Sequence, residues 1–407
     1  MRAPAYLGKF FSYVGVDEAL SIVRESLKPL PSEEVDARAA VGRVLAVDVR
    51  SMRNLPEGDV AVVDGFAVKA EDLGPNATLR VGERPASGVA VPIRTGQLLP
   101  EGVDTVAPLE VSEPLNGYVR IHRVLPRGYG VLRRGSDVRK SQVVFRRGRE
   151  LRPQDVKLLG ELGIPAVKVF RRPRVAVVPT GDEFVTGARA EYSSYSVAEA
   201  IKYYGACPER FKPQPDDPVV LKDLVKDLMR EYDVVVTIGG ASIGVKDFMW
   251  EAGRSLGRGS SFRGVKLHPG RVTSFVGVGG RAYVMLPGLF TSTIGGLIYV
   301  LIPVVRVLQG LPGRGDYVVV RASFKGSAEF GRFKPFRKLV FVKVSMGEGG
   351  VEAVGISKKL PSISIVAMAD GFVEVPEGVE ALRDGDPTYV RGVRGVFPLE
   401  LQKLGLN

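Results

Sequence analysis

RVAVVPTG, residues 174–181, is an apolar run without polar alternation that closes on Thr180-Gly181. Such a run reads as a strand covered on both faces. YSVAEAIKYYG, residues 195–205, has helical spacing behind it. The texture then repeats: DVVVTIGG (233–240) and RAYVMLPG (281–288) read as further buried strands, the last leading into an apolar helix near Thr291. Strands alternating with helices argue for a parallel α/β sheet. Between them lies the amphipathic stretch 216–232, which groups Val220, Leu221, Leu224, Val225 and Leu228 on one face. Asp217-Pro218 supplies its cap and first-turn proline.

Outward from this centre the pattern changes. Residues 51–135 are dense in Gly, Pro and short Val-rich runs, the mark of a compact β module. Helical spacing flanks it, in DEALSIVRESL and VDARAAVGRVLAVDV before it and in PQDVKLLGELG after it, so the module reads as an insertion into a helical element. Past Gly310 the chain returns to short strands. The expected fold is α/β plus β and multidomain: a helical linking domain of residues 1–50 and 136–170, an inserted β domain of 51–135, a parallel-sheet α/β domain of 171–311, and a C-terminal β-barrel-like domain of 312–407.

Composition narrows the chemistry. The 407 residues carry a net charge of +12, which favours anionic partners. A single cysteine, Cys207, rules out an internal disulfide and a thiolate zinc site, and two histidines make a Ser-His-Asp hydrolase a poor fit. A divalent metal, if used, is a hard ion held by carboxylates. No RNP, KH, zinc-finger or helix-turn-helix signature is present, so nucleic acid is not the expected partner. The apolar segment near 294–308 is broken by Pro303 and Arg306 and reads as a buried helix, so no membrane association is expected; with no export signal visible, the cytoplasm is the expected location.

Three glycine-bearing segments follow the predicted strands: Thr180-Gly181-Asp182-Glu183, the stretch 239–244 with Gly239, Gly240, Ser242 and Gly244, and Leu286-Pro287-Gly288. Open α/β sheets bind ligands beyond the carboxyl ends of their strands, so the three loops are expected to converge on one crevice. Glycine there lets backbone approach a phosphate closely. Asp182, Glu183 and Asp247 then stand at its rim, where acids beside phosphate call for a bridging cation. Simpler explanations stand beside these: Asp64-Gly65 as a hairpin turn, Thr95-Gly96 as turn chemistry, capping at Asp216-Asp217, and Asp137 as a surface ion pair in the basic stretch 133–152.

Six ordered segments resemble one family, the MoeA-type molybdopterin molybdenumtransferases. AVVDGFAV is similar to its MDGYAV segment, IRTGQLLPEGVDTV to TGAxxPxGAD, RRGSDV to RxGED, RPRVAVVPTGDEF to RPxVxxxxTGDEL, VVVTIGGASIGVKDF to GGVSVGxxD, and LHPGRV to KPGKP. The resemblance implies an elongated homodimer that takes adenylylated molybdopterin, releases AMP with help from Mg²⁺, and leaves molybdate or tungstate on the dithiolene. It implies a cleft between the α/β domain of one subunit and the β module of the other, a molybdopterin adenylyltransferase as donor, and molybdo- or tungstoenzymes as recipients. Carried over, Asp64, Thr95, Asp137, Glu183, Asp216 and Asp247 are the catalytic positions, Glu183 and Asp247 the cation ligands. Thr180, Gly181, Gly239, Gly240, Ser242, Gly244, Pro269, Gly270, Arg271, Pro287 and Gly288 bind the pterin and its phosphate, with amides of the 239–244 loop as donors. Three departures stand out: Leu289-Phe290 where the family has Asn-Pro, Glu191-Tyr192-Ser193 for Asp-x-Asn, and His268 for the first Lys of KPGKP. The first and second favour an alternative, a noncatalytic paralogue that binds pterin or a partner protein.

Overall fold

A computed structural model describes residues 12–239, 248–313, 317–356 and 363–397. The chain divides into two compact units, one of residues 1–33, 42–44 and 170–407, the other of 34–41 and 45–169.

The first unit is built on a six-stranded sheet ordered Cys207–Arg210, Arg174–Pro179, Val234–Ile238, Arg281–Leu286, Ser274–Val278, Ser260–Arg263. The first four strands are parallel, as their unbroken apolar runs require; Val175, Ala176, Val177 and Val178 are fully buried because helices cover both faces. Val16–Ser26, Ser193–Lys202 and the Phe290–Leu308 helix share the core on one face. Pro218–Glu231 and Phe248–Arg254 pack on the other. The sheet is mixed rather than all parallel: Ser274–Val278 returns to Arg281–Leu286 through Gly279-Gly280, whose φ values of 60° and 77° make a two-residue hairpin turn. In Pro218–Glu231 the buried face is Leu221, Val225, Leu228 and Met229, while Val220, expected on it, is 41% exposed. Asp217 caps this helix, accepting from the N–H groups of Val219 and Val220 at 2.7 and 3.1 Å. Phe290–Leu308 is long and apolar enough to cross a membrane, and 94% of its apolar window is buried inside the protein. A π-turn at Leu297–Leu301 precedes Pro303, whose missing N–H interrupts the regular ladder.

The C-terminal strands close on themselves. Arg337–Gly347 pairs with Gly350–Gly355 and Gly371–Val375, Tyr317–Lys325 pairs with Gly350–Gly355 and Pro387–Val393, and Pro387–Val393 returns to Gly371–Val375. The ring is a five-stranded barrel around Phe324, Val342, Val373 and Val390, and closure leaves these strands no free edge.

The second unit holds a six-stranded sheet ordered Thr105–Pro108, Gly65–Val68, Val89–Ile93, Ala77–Val81, Tyr118–Ile121, Ser112–Leu115. A separate core gathers Leu45, Leu159, Leu162 and Val169 around the Pro153–Glu161 helix. The helix expected over residues 35–49 does not form. Asp36 instead accepts from the Arg38 N–H to open a single 3-10 turn over Ala37–Ala39, closed by the Ala40 N–H donating to Ala37, and Gly42 at φ 73° turns the chain just beyond it. Gly65 is a strand residue, not a turn residue: a Cβ there would lie 1.9 Å from the Ala107 carbonyl oxygen. Gly65→Ala is therefore expected to destabilise this unit by ~4 kcal/mol, at the top of the range for single substitutions. An unchanged denaturant midpoint for the unit would contradict the assignment.

Candidate functional site

The parallel strands end together. Thr180 N–H donates to the Ile238 carbonyl at 2.9 Å, and Gly239 N–H donates to the Leu286 carbonyl at 3.2 Å. Strand order reverses between Arg174–Pro179 and Val234–Ile238, the arrangement that opens a crevice at the carboxyl edge. Glycine makes the approach possible. Gly239 has φ 117° and a Cβ on it would stand 2.5 Å from the Thr180 carbonyl oxygen; a Cβ on Gly288 would stand 3.2 Å from the Gly239 Cα.

Thr180, Gly181, Gly239, Pro287 and Gly288 are thus neighbours at one edge. The amide role expected of Gly239 is corrected: its N–H is committed to Leu286, so this glycine serves close packing and not phosphate donation. The Gly181 N–H is likewise committed, to Gln214 at 3.0 Å. Gly240, Ser242, Gly244 and Asp247 lie outside the described residues.

The acidic rim is formed on the short Asp182–Val185 helix and the loop before Pro218. Asp182 Oδ1 accepts from Asp216 N–H at 3.1 Å, which draws Asp216 to the crevice. Glu183 is exposed, and its Oε2 lies 2.8 Å from where a Gly181 Cβ would be, so the carboxylate folds back over the loop. Asp182 and Gln214 are the ties that hold this rim. Gln214 carried no signal in the sequence, since it acts through its backbone carbonyl. Among the described residues no three His, Cys, Asp or Glu side chains gather to hold a metal unaided. Glu183 and Asp216 still suit Mg²⁺, which takes one or two carboxylates together with substrate phosphates.

Pro269, Gly270 and Arg271 approach the same edge through the helix behind Gly288. A Cβ on Gly295 would stand 2.2 Å from the Pro269 carbonyl oxygen, and one on Gly270 3.3 Å from Gly296 N. Leu267–His268 pairs in parallel with Arg337–Gly347, so this loop also rests on the barrel. His268 stacks on Phe333 with centroids 3.6 Å apart and rings 10° from parallel, and Arg271 lies 6.0 Å from the same ring. Burial, then Arg271 and Arg332, push the imidazole down to about 4, so it is neutral at pH 7 and not the fractional charge expected from its unperturbed value. The unfolded chain takes up this proton near 6.5 while the folded chain refuses it until about 4. Stability contributed here is full above about 6.5 and falls as pH drops, by at most ~3 kcal/mol. His268→Phe is expected to flatten that part of the pH–stability curve; an identical slope in both proteins would rule the coupling out.

Against the 267–271 loop lies a cavity of about 400 Å³, bounded by His268, Leu289, Thr291, Lys325 and Lys338. Lys338 Nζ donates to the carbonyls of Pro376 and Val379 at 2.7 and 2.9 Å, and burial lowers its pKa.

In the second unit Asp64 and Thr95 meet. Asp64 Oδ1 accepts from Thr95 N–H at 2.7 Å, and this bond, then the Thr95 side chain and nearby Arg94, hold the carboxyl below its usual range. Asp137 is exposed on another turn, its N–H donating to Leu55 at 3.1 Å, and no bond joins it to Asp64 or Thr95 among the described residues. The basic stretch is partly structural. Burial alone would raise the Asp155 carboxyl, but a two-pronged contact from Arg149 and the N–H of Arg152 hold it at about 2.

A mixed sheet whose parallel strands end at a glycine-lined, acid-rimmed carboxyl edge, joined to a closed barrel, defines the class of an α/β protein that binds its ligand at that edge. Residues 176–307 match the family described as the probable molybdopterin binding domain, and residues 14–163 match the MoeA N-terminal region (domain I and II). A molybdopterin molybdenumtransferase of Nostoc is 31% identical over 349 residues, covering 79% of this chain and 80% of that one. A putative molybdopterin biosynthesis protein of Methanocaldococcus jannaschii is 26% identical over 387 residues, 87% of this chain and 90% of the other. The solved molybdopterin biosynthesis MoeA protein of Pyrococcus horikoshii superposes with a TM-score of 0.75 at 31% identity, over 93% of this chain and 99% of that chain. The chain belongs to the MoeA family of molybdopterin molybdenumtransferases, whose members act in molybdenum cofactor biosynthesis.

Proposed function

We propose that the chain transfers molybdate, or tungstate, to adenylylated molybdopterin with Mg²⁺-dependent release of AMP. The convergence of Thr180-Gly181, Gly239 and Gly288 beside the Glu183 carboxylate, with Asp216 tied to the same rim through its backbone, supports this reading most strongly. Bare backbone at the strand ends admits a phosphoanhydride closely, and the rim supplies hard oxygen ligands. Magnesium, when bound, contributes Lewis-acid neutralisation of phosphate charge. Glu183 and Asp216 would hold the magnesium ion at the rim, with Asp247 as the further ligand that the resemblance implies. Thr180 and Gly239 keep the crevice narrow enough to orient the phosphate and exclude loose water. Asp64, ionised and fixed by Thr95, and Asp137 are the positioning acids of the β module. We further propose a cytoplasmic homodimer that receives its substrate from an adenylyltransferase and serves molybdo- or tungstoenzymes, with no nucleic acid or membrane partner.

A single incubation of the purified chain with adenylylated molybdopterin, molybdate and magnesium tests the activity. Stoichiometric AMP together with metallated cofactor is the expected product. Leu289-Phe290, in place of the family's Asn-Pro, supports the second reading, a noncatalytic pterin- or partner-binding paralogue; substrate that binds and is recovered intact would establish it instead.

A further inference from the structure

Tyr13, Phe336, Phe333 and His268 form a column of rings that runs from the N-terminal segment to the loop of residues 267–271. Tyr13 meets Phe336 edge-on at 5.4 Å, Phe336 meets Phe333 edge-on at 6.0 Å, and Phe333 stacks flat on His268 at 3.6 Å. Arg271 completes the group. Its guanidinium lies 6.0 Å from the centre of the Phe333 ring and makes no ion pair among the described residues. We propose that Phe333 is a positioning residue: packed against His268, its ring holds the Arg271 side chain toward the anionic end of the substrate. The inference rests on the proposed transferase reading for what that substrate is, and goes beyond it in giving the barrel a part in the site.

The backbone of the loop is held before any side chain acts. Lys266 N–H donates to the Val14 carbonyl at 2.8 Å and Arg337 N–H donates to the Lys266 carbonyl at 2.9 Å, so the N-terminal segment and the barrel grip one residue. Val265 N–H donates to the Arg271 carbonyl at 3.0 Å and closes the loop on itself. This fixes the Arg271 main chain but leaves its long side chain free to turn, at an entropic cost whenever it must be ordered. Phe333 supplies the missing restraint, since an aromatic face attracts a guanidinium within about 6 Å. Tyr13 stands near the same cation: burial raises its phenol, and the Arg271 charge pulls the other way.

Neither Phe333 nor Phe336 belongs to the barrel core or to the core beneath the sheet. Both are half-buried, on the turn that leads into Arg337–Gly347, so their order serves the loop they touch and not the barrel interior. The identity of His268 follows from the same crowding. Arg332 lies 5.0 Å from the Phe333 ring as well, so a lysine at position 268 would bring a third cation to one ring. A neutral imidazole stacks there without that repulsion. The departure from the family's lysine thereby acquires a role.

A double-mutant cycle on the full chain tests this. Pyrophosphate with magnesium is titrated calorimetrically into the wild type, Phe333→Leu, Arg271→Ala, the double variant and Phe333→Tyr, which keeps the ring; denaturant midpoints confirm each fold. Phe333→Met carries the cycle should Phe333→Leu prove unstable. Arg271→Ala is expected to weaken binding about tenfold and Phe333→Leu about fivefold, with no further loss in the double variant and Phe333→Tyr within about twofold of wild type. In turnover, Phe333→Leu should raise the KM for adenylylated molybdopterin about fivefold and leave kcat within about twofold. Losses that add in the double variant, an unaltered affinity in Phe333→Leu, or no pyrophosphate binding by the wild type overturns the assignment. AMP release by the wild type separates the two claims. Release with additive losses removes the positioning role and leaves the transferase reading, whereas a non-additive cycle without release removes the transferase reading and leaves the positioning role.

Discussion

Glu183→Ala is expected to slow AMP release by about 10²–10³-fold while leaving the unfolding midpoint within ~0.5 kcal/mol of wild type. The two halves of this result follow from one placement. The side chain is exposed, so its loss removes no core packing. Its carboxylate nevertheless folds over Gly181 at the entrance of the crevice, where negative oxygen is useful only toward a cation or a cationic substrate group. Glu183→Gln keeps the shape and removes the charge, so it should be nearly as slow as the alanine variant. Rates close to wild type for Gln with a large loss for Ala would show that shape, not charge, is what Glu183 provides.

Gly239→Ala carries the second large effect, this time through backbone. At φ 117° any side chain is strained, and here the added Cβ would also stand 2.5 Å from the Thr180 carbonyl oxygen and 2.7 Å from its hydroxyl. Relief requires the ends of the paired strands Arg174–Pro179 and Val234–Ile238 to part, which opens the crevice. A loss of ~3 kcal/mol in stability together with loss of turnover is expected. Gly279→Ala is the control: it too has positive φ, at 60°, but nothing lies within 4 Å of its Cβ. It should cost only ~1 kcal/mol. Equal costs at the two glycines, read from denaturant midpoints, would show that strain alone and not close approach governs Gly239.

The parts of this molecule that could be read in sequence are those where one physical constraint dominates. RVAVVPTG has to be a doubly covered strand because four consecutive apolar residues have no solvent side. Asp217-Pro218 has to begin a helix because cap and first-turn geometry are both local. The misread parts depend on distant partners. Residues 35–49 have helical spacing, yet Val44 and Leu45 are buried along an extended path, and a period of a few residues does not reveal which neighbour will cover them. Gly65 looks like half of a turn dipeptide; only the sheet places the Ala107 carbonyl against it. His268 has an ordinary titration range until Phe333, more than sixty positions along the chain, stacks over it. In the site itself, the motif residues Thr180, Gly181, Glu183 and Gly288 announced the crevice. That the Gly239 amide is already bonded, and that Gln214 and Asp182 hold the rim, are facts of hydrogen-bond partnership that composition and spacing do not encode.

On the proposed reading, carboxylates and bare backbone at one sheet edge manage a magnesium-bound phosphoanhydride. The most direct test of that reading is the rate of AMP release from adenylylated molybdopterin by the wild-type chain, followed as magnesium is titrated from a chelated baseline. A saturable rise from a baseline below about a tenth of the maximum is predicted. AMP released at the same rate in chelator as in magnesium would contradict the account.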